Sequence, residues 1–266
     1  MPSATAAPGG TRAAAFWPAD ACVPGRSPPR PAHAPAERLE WHGGGSVPAT
    51  EWERVVAAQE ALQRHFPECV LVGGTTAAAL HARHRVSYDG DHVMTELREH
   101  FSGVLARLEA LAGWRTARIA PPVLILGQLQ GVETGIRQLR RAQPLETEVI
   151  AGIRVPTLQE MARVKDWMIL TRNATRDYLD FCALSAGLGD GFTPALAPLD
   201  DLYPQETGET PTRQLAKQLA EPVPHDLAEV RLAEYRGLQP PWNDWAYVQR
   251  FAERLADRLA VDLLGL

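Results

Sequence analysis

Hydrophobic and polar positions divide the chain into a patternless start, a mixed middle and a helical end. Over residues 51–66, Trp52, Val55, Val56, Ala61 and Leu62 recur at helical spacing. Thr50 supplies an N-cap and Pro67 a stop. Residues 69–72 form a short apolar run, as a buried strand does. Gly73 and Gly74 then allow a sharp turn, and Thr75 and Thr76 precede the helix-forming run 77–80. Beyond Arg85 the pattern alternates. Val86, Tyr88, Gly90 and His92 fall on one side, and Ser87, Asp89, Asp91 and Val93 on the other.

Leu97, Phe101, Val104, Leu105, Leu108 and Leu111 predict a helix over 95–113. Strands are predicted over 114–120 and 123–126, separated by Pro121-Pro122, over 131–139, and once more over 145–155. A capping box of Thr157 and Glu160 opens a helix over 158–171, with Met161, Val164, Met168 and Ile169 inward. A second helix over 174–187 turns Tyr178, Phe181 and Leu184 inward. Residues 187–208 are turn-rich, and three helices are expected over 212–219, 225–235 and 242–264. The fold class is therefore α+β: a mixed sheet of four or five strands with packed helices, plus a C-terminal helical part. Residues 1–46, rich in Ala, Pro, Gly and Arg, read as a disordered or loosely attached tail. Residues 47–190 form the core and 191–266 the helical part.

Composition narrows the function. An apolar content of 45% is ample for a core, and a net charge of −5 provides no overall basic field for nucleic acid. Binding to RNA or DNA would need a local patch. Cys22, Cys69 and Cys182 are odd in number and widely spaced, which argues for a reducing compartment. With no membrane-length apolar run and no apolar leader, a cytoplasmic protein is expected. Of 27 basic residues only Lys165 and Lys217 are lysines.

The chemistry centres on Asp89 and Asp91. On one strand face their Cβ atoms lie roughly 6–7 Å apart. Two unpaired carboxylates at that spacing repel, and a divalent cation removes the conflict. Mg2+ or Mn2+ takes oxygen ligands and brings a phosphate with it. A glycine turn beside a carboxylate pair thus suggests a metal–nucleotide site.

The string GGTTAAALHARHRVSYDGDHV, in which His84, Arg85, Ser87, Asp89 and Asp91 match His-Arg-x-Ser-x-Asp-x-Asp, resembles the AbiEii/AbiGii toxin branch of the DNA polymerase β-like nucleotidyltransferase superfamily. The string VKDWMILTRNATRDYLDFCAL is similar to that branch's second block. The resemblance spans residues 68–184. It implies that Asp89 and Asp91 hold metal, and that Gly73, Gly74 and Thr75 or Thr76 cradle phosphates. Lys165 would act as a mobile charge on the triphosphate, with Arg172 on the same helix side and Asp177 orienting Lys165 or the nucleotide. It implies Mg-dependent transfer of a nucleoside monophosphate from an NTP, by a toxin of a toxin–antitoxin or phage-defence system. The acceptor would be a tRNA 3′ end, and a separate protein would be the antitoxin.

The superfamily's third carboxylate, the general base, belongs on the strand predicted over 131–139. Gly135 falls near its place, and Glu133 lies two residues earlier on the same face. Either Glu133 serves or the base is missing; Glu146 and Glu148 are more remote. Transfer to a small molecule or protein, and a non-catalytic nucleotide binder, therefore stay open. His81, His84 and His92 read as scaffold and not as a zinc site. Arg137, Arg140 and Arg141 form the best local basic patch, either for an RNA backbone or as a solvated loop face.

Overall fold

A computed structural model describes residues 50–206 and 208–266. The tail expected over 1–46 lies outside the described residues. Thr50 and Glu53 cap α1 (Glu51–His65) reciprocally, side chain to backbone. Its buried stripe is Val55, Ala58, Gln59, Leu62 and Gln63. Of the expected stripe, Val55 and Leu62 are fully buried, Val56 and Ala61 pack on the core edges half buried, and two glutamines join them because each has a hydrogen-bond partner. Gln59 Oε1 accepts from Thr134 Oγ1 at 2.9 Å. Gln63 pairs both ways with the Arg154 backbone.

Five strands make the main sheet: β1 (Val70–Val72), β2 (Gly90–Met94), β3 (Trp114–Ala120), β4 (Leu124–Leu129) and β5 (Val132–Gln138). Their order is β1-β2-β5-β4-β3, with β2 and β5 parallel and the other pairs antiparallel. One parallel pair in an antiparallel sheet makes it mixed, and the architecture is α+β. α1 and α2 (Leu97–Glu109) cover one face through Leu62, Phe66, Leu97, Phe101 and Leu108 against Met94, Ile125 and Ile136. Each such side chain contributes roughly 1.5–3 kcal/mol on burial. A π-helix over Thr75–His81 links β1 to the segment before β2.

The single strand expected over 145–155 is instead a hairpin, β6 (Thr147–Ile150) and β7 (Ile153–Pro156), forming a separate two-stranded sheet. Ala151 and Gly152 both take positive φ, the turn that matches strand twist. Ile153 and Val155 then pack on Leu71 of β1.

α3 (Leu158–Arg172) and α4 (Thr175–Leu188) lead the helical part. The Thr157–Glu160 box is only half formed. Thr157 caps the Glu160 amide, but the Glu160 carboxylate is buried against Arg141 and Arg163. The turn-rich stretch 187–208 contains two short helices, α5 (Phe192–Leu196) and α6 (Leu199–Leu202). α7 (Pro211–Ala220) and α8 (Trp245–Asp262) follow, but 225–235 is irregular apart from a 3-10 turn at Leu232–Glu234. Ile169, Tyr178 and Phe181 share one core with Leu215, Val248 and Leu259. Met161 and Leu184 pack on Ala77 of the π-helix, seating the helical part against the glycine turn.

Candidate functional site

On β2, Gly90, His92 and Met94 are buried on the α1–α2 side, and Asp91 lies half exposed on the opposite sheet face. Asp89, exposed, immediately precedes the strand. The turn after β1 is built around this pair. Gly73 takes φ +82°, and a Cβ there would stand 3.4 Å from Asp91 Oδ2. A side chain at 73 would therefore be strained by its backbone, and its Cβ would occupy the space against the carboxylate in van der Waals contact. A Cβ on Gly74 would meet Ser87 Oγ at 2.8 Å and Arg85 Nη2 at 3.0 Å. Thr75 Oγ1 donates to the Asp89 carbonyl, while Thr76 Oγ1 donates back to Leu71 at 2.8 Å. The two threonines thus differ: Thr75 ties the turn to the carboxylate segment and Thr76 ties it to β1. Gly90 has its own constraint, since a Cβ would come within 2.0 Å of Gln59 Oε1.

Each carboxylate is already engaged at Oδ1. Asp89 accepts from Ser87 Oγ at 2.5 Å, and Asp91 from Arg137 Nε at 3.0 Å. The β2–β5 register sets Asp91 beside Gly135 and Val93 beside Arg137. Continued one step back, it sets Asp89 beside Glu133. Asp89, Asp91, Glu133 and Arg137 therefore share one face. Position 135, the one directly beside Asp91, is closed to any side chain. A Cβ there would lie 2.5 Å from the Ile125 carbonyl and 2.6 Å from Leu126 Cδ2. Glu133 is exposed, one register step away. Glu148 lies on the separate hairpin, and Glu146, just before it, pairs with Arg163.

Behind the turn lies a buried ion network that periodicity did not reveal. Lys165 Nζ is 2.6 Å from Asp180 Oδ2 and 3.6 Å from Asp177 Oδ1, and its side chain is 3% exposed. Arg85 grips Asp180 with Nε and Nη2, both at 2.8 Å, and His84 Nε2 reaches Asp180 at 3.0 Å. Arg172 forks onto Asp177 from the network's open edge, with its side chain 32% exposed. Burial of the Asp180 carboxyl alone would raise its pKa; Lys165 and Arg85 hold it well below the usual carboxylate range. Burial likewise opposes the charge of Arg172, but Asp177, with Asp91 and Asp180 behind it, raises the guanidinium pKa. Arg85 also feels Asp89. The network is thus coupled by charge to both metal-ligand candidates. Of the sequence-predicted residues, the fold brings Gly73, Gly74, Thr75, Asp89 and Asp91 together, with Glu133 on the same face. It sets Lys165, Arg172 and Asp177 in one cluster behind them.

Two carboxylates and an open glycine turn fit Mg2+ or Mn2+, which is held by one or two carboxylates plus substrate phosphates. Among the described residues no group of three or more His, Cys, Asp or Glu is placed to hold a metal. The expected basic patch is dispersed: Arg137 is on Asp91, and Arg141 is buried against Glu160. His81 bonds the Pro156 carbonyl and His84 bonds Asp180, both structural partners.

No protein-family model matches the chain. A stretch of 101 residues is 35% identical to the heme uptake protein MmpL11 of Mycobacterium tuberculosis, covering 34% of this chain and 10% of that protein. A stretch of 107 residues is 33% identical to the mycolic acid-containing lipids exporter MmpL11 of Mycolicibacterium smegmatis, covering 36% and 11%. The chain thus spans about a tenth of the length of the curated relatives it matches. No described helix is long and apolar enough to cross a membrane. Two crystal structures from Helicobacter pylori are distantly similar. JHP933 gives a TM-score of 0.46 at 16% identity over 79% of this chain and 94% of that one. A putative nucleotidyltransferase gives 0.48 at 15% over 80% and 93%. At such values neither assigns a function.

Proposed function

We propose that the chain is a Mg-dependent nucleotidyltransferase that moves a nucleoside monophosphate from an NTP to an acceptor. The observation that carries this reading is Gly73: its left-handed backbone leaves open the space over the Asp91 carboxylate. Charge supports it. Asp89, Asp91, Asp177 and Asp180 are matched in number by Arg85, Arg137, Lys165 and Arg172, with Glu133 at the rim. A divalent cation added to that balance calls for further negative charge, which a triphosphate supplies.

A bound Mg2+ would polarise the α-phosphate and lower the pKa of an acceptor hydroxyl. The chain's residues divide the remaining work. Asp89 and Asp91 hold the cation. The backbone amides of Gly73 to Thr76 face the phosphates. Arg172 and Arg137, both partly exposed, neutralise phosphate charge, and Glu133 takes the acceptor proton. Lys165 fixes Asp177 and Asp180, and through them aims Arg172 and Arg85. A toxin role of the AbiEii/AbiGii kind, a tRNA 3′ end as acceptor and a separate antitoxin extend this reading.

A second reading follows from position 135. With that place closed to a carboxylate, the site could bind Mg-nucleotide without turning it over. Incubation with each α-labelled NTP and total RNA, protein or aminoglycosides separates the two. The enzyme reading expects Mg-dependent label on one acceptor class, lost in folded Asp89→Ala. Nucleotide binding without labelled product would establish the binder.

A further inference from the structure

The main sheet presents a second face beside the site, and its outer strand is armed. Along β3, Arg115, Thr116, Ala117, Arg118 and Ile119 are all exposed. In a regular strand Arg115 and Arg118, three apart, would point to opposite faces. A register shift between Thr116 and Arg118 changes this. Arg115 pairs with Gln128 and Arg118 with Leu126, and Gln128 and Leu126 are two apart on β4. The bulge therefore turns both arginines to one face, and the Arg115 Nη2 bond to Gln128 Oε1 at 3.0 Å fixes that side. Bulges re-aim side chains in this way next to functional sites.

The face in question is that of Asp91. The pairings Asp91–Gly135, Gly135–Leu126 and Leu126–Arg118 form one cross-strand row. Asp89, Glu133, Gln128 and Arg115 form the row beside it. Three strand spacings of about 4.8 Å set Arg118 roughly 14 Å from Asp91. Leu124 and Leu126, between them, are half exposed. Arg118 makes no ion pair among the described residues. An arginine pair re-aimed onto an open face is unexpected in a chain of net charge −5. It complements a polyanion that starts at the carboxylates and runs outward across β5, β4 and β3.

Resting on the nucleotidyltransferase reading, we infer that this face is the acceptor platform and that its occupant is the single-stranded end of a nucleic acid. Its terminal hydroxyl lies at Asp89 and Asp91. Its backbone crosses the half-buried leucines, and phosphates a few nucleotides back meet Arg115 and Arg118. Small acceptors such as aminoglycosides would not span the distance from Asp91 to Arg118.

The test is anisotropy of a fluorescein-labelled 12-nucleotide RNA, and of the same DNA sequence, over a salt series. Wild type is compared with Arg115→Ala/Arg118→Ala and with Arg118→Glu. Binding of a fluorescent ATP analogue with Mg2+ and the thermal melt are recorded on each protein. The platform predicts wild-type binding that is about tenfold or more weaker in the double variant. The salt slope should flatten by about 1.4, the value for two lost single-strand phosphate contacts. Nucleotide binding and the melt should not change. A preference between the RNA and DNA arms names the natural strand. Equal oligonucleotide affinity in wild type and double variant, or no oligonucleotide binding by wild type, overturns the platform. Failure of wild type to bind the ATP analogue instead overturns the nucleotidyltransferase reading, and is seen separately.

Discussion

Replacing Asp180 by alanine removes one carboxylate that holds three side chains. Asp180 is fully buried and takes two 2.8 Å bonds from Arg85, 3.0 Å from His84 and 2.6 Å from Lys165. Its loss leaves a guanidinium and an ammonium buried, with only Asp177 remaining near Lys165. Breaking a buried ion pair by removing one partner costs about 3–5 kcal/mol, a large share of the roughly 5–15 kcal/mol that holds a domain together. With a urea slope of about 2 kcal/mol/M, the unfolding midpoint should fall by about 2 M, followed by tryptophan fluorescence. The same network carries Arg85, whose Nη2 lies under Gly74, so Mg-nucleotide binding should weaken in whatever fraction remains folded. Adding Lys165→Met to Asp180→Ala removes one orphaned charge and should recover part of the loss. A cost below about 1 kcal/mol, or a double variant no more stable than Asp180→Ala, would refute the account of how these charges support the turn.

Two buried aspartates should move stability in opposite directions with pH. Asp180 has a depressed folded pKa, so its contribution is complete above the unfolded value of about 3.9 and is lost as pH falls through the folded value. Burial, with Asp200 adding to it, drives Asp166 the other way, well above the usual range, and neither carboxyl oxygen has a hydrogen-bond partner among the described residues. It therefore destabilises increasingly as pH rises above about 3.9, and Asp166→Asn should raise the urea midpoint at pH 7 but not at pH 4. Gly135→Ala should cost about 1–3 kcal/mol by urea unfolding, because its Cβ would lie 2.5 Å from a backbone carbonyl that cannot step aside. A neutral result would mean the strand can open to admit a carboxylate. Arg137→Ala should tighten Mn2+ binding several-fold without nucleotide, since it frees Asp91, yet weaken Mg-nucleotide binding; isothermal titration reads both.

The outline of the fold was legible where local rules act alone. Thr50 and Pro67 bound α1 from sequence, and the alternation after Arg85 places Asp91 and His92 on opposite faces. The hairpin over 147–156 was not legible as two strands, because Val149, Ala151, Ile153 and Val155 keep one apolar period of two through the turn and alanine does not announce a positive φ. The bulge in β3 leaves no mark in composition. α3 misleads for another reason. Apolar spacing selects Met161 and Ile169, but Glu160, Arg163, Lys165 and Asp166 are buried too, each made tolerable or strained by groups far along the chain. Asp180 is the clearest case: Arg85 is 95 residues away, so only the tertiary fold joins the His84-Arg85 pair to α4. The glycine turn and carboxylate pair could be found because both lie within one short stretch, whereas the closure of position 135 depends on Ile125 and Leu126 of a neighbouring strand.

The central claim is that Asp91, beneath the Gly73 turn, holds a divalent cation against a nucleotide's phosphates. Calorimetric titration of ATP and GTP into wild type and Asp91→Asn, with and without Mg2+, tests it directly. The account predicts binding that requires Mg2+ and falls at least tenfold in the folded Asp91→Asn variant. Binding that is indifferent to both the metal and the substitution would contradict it.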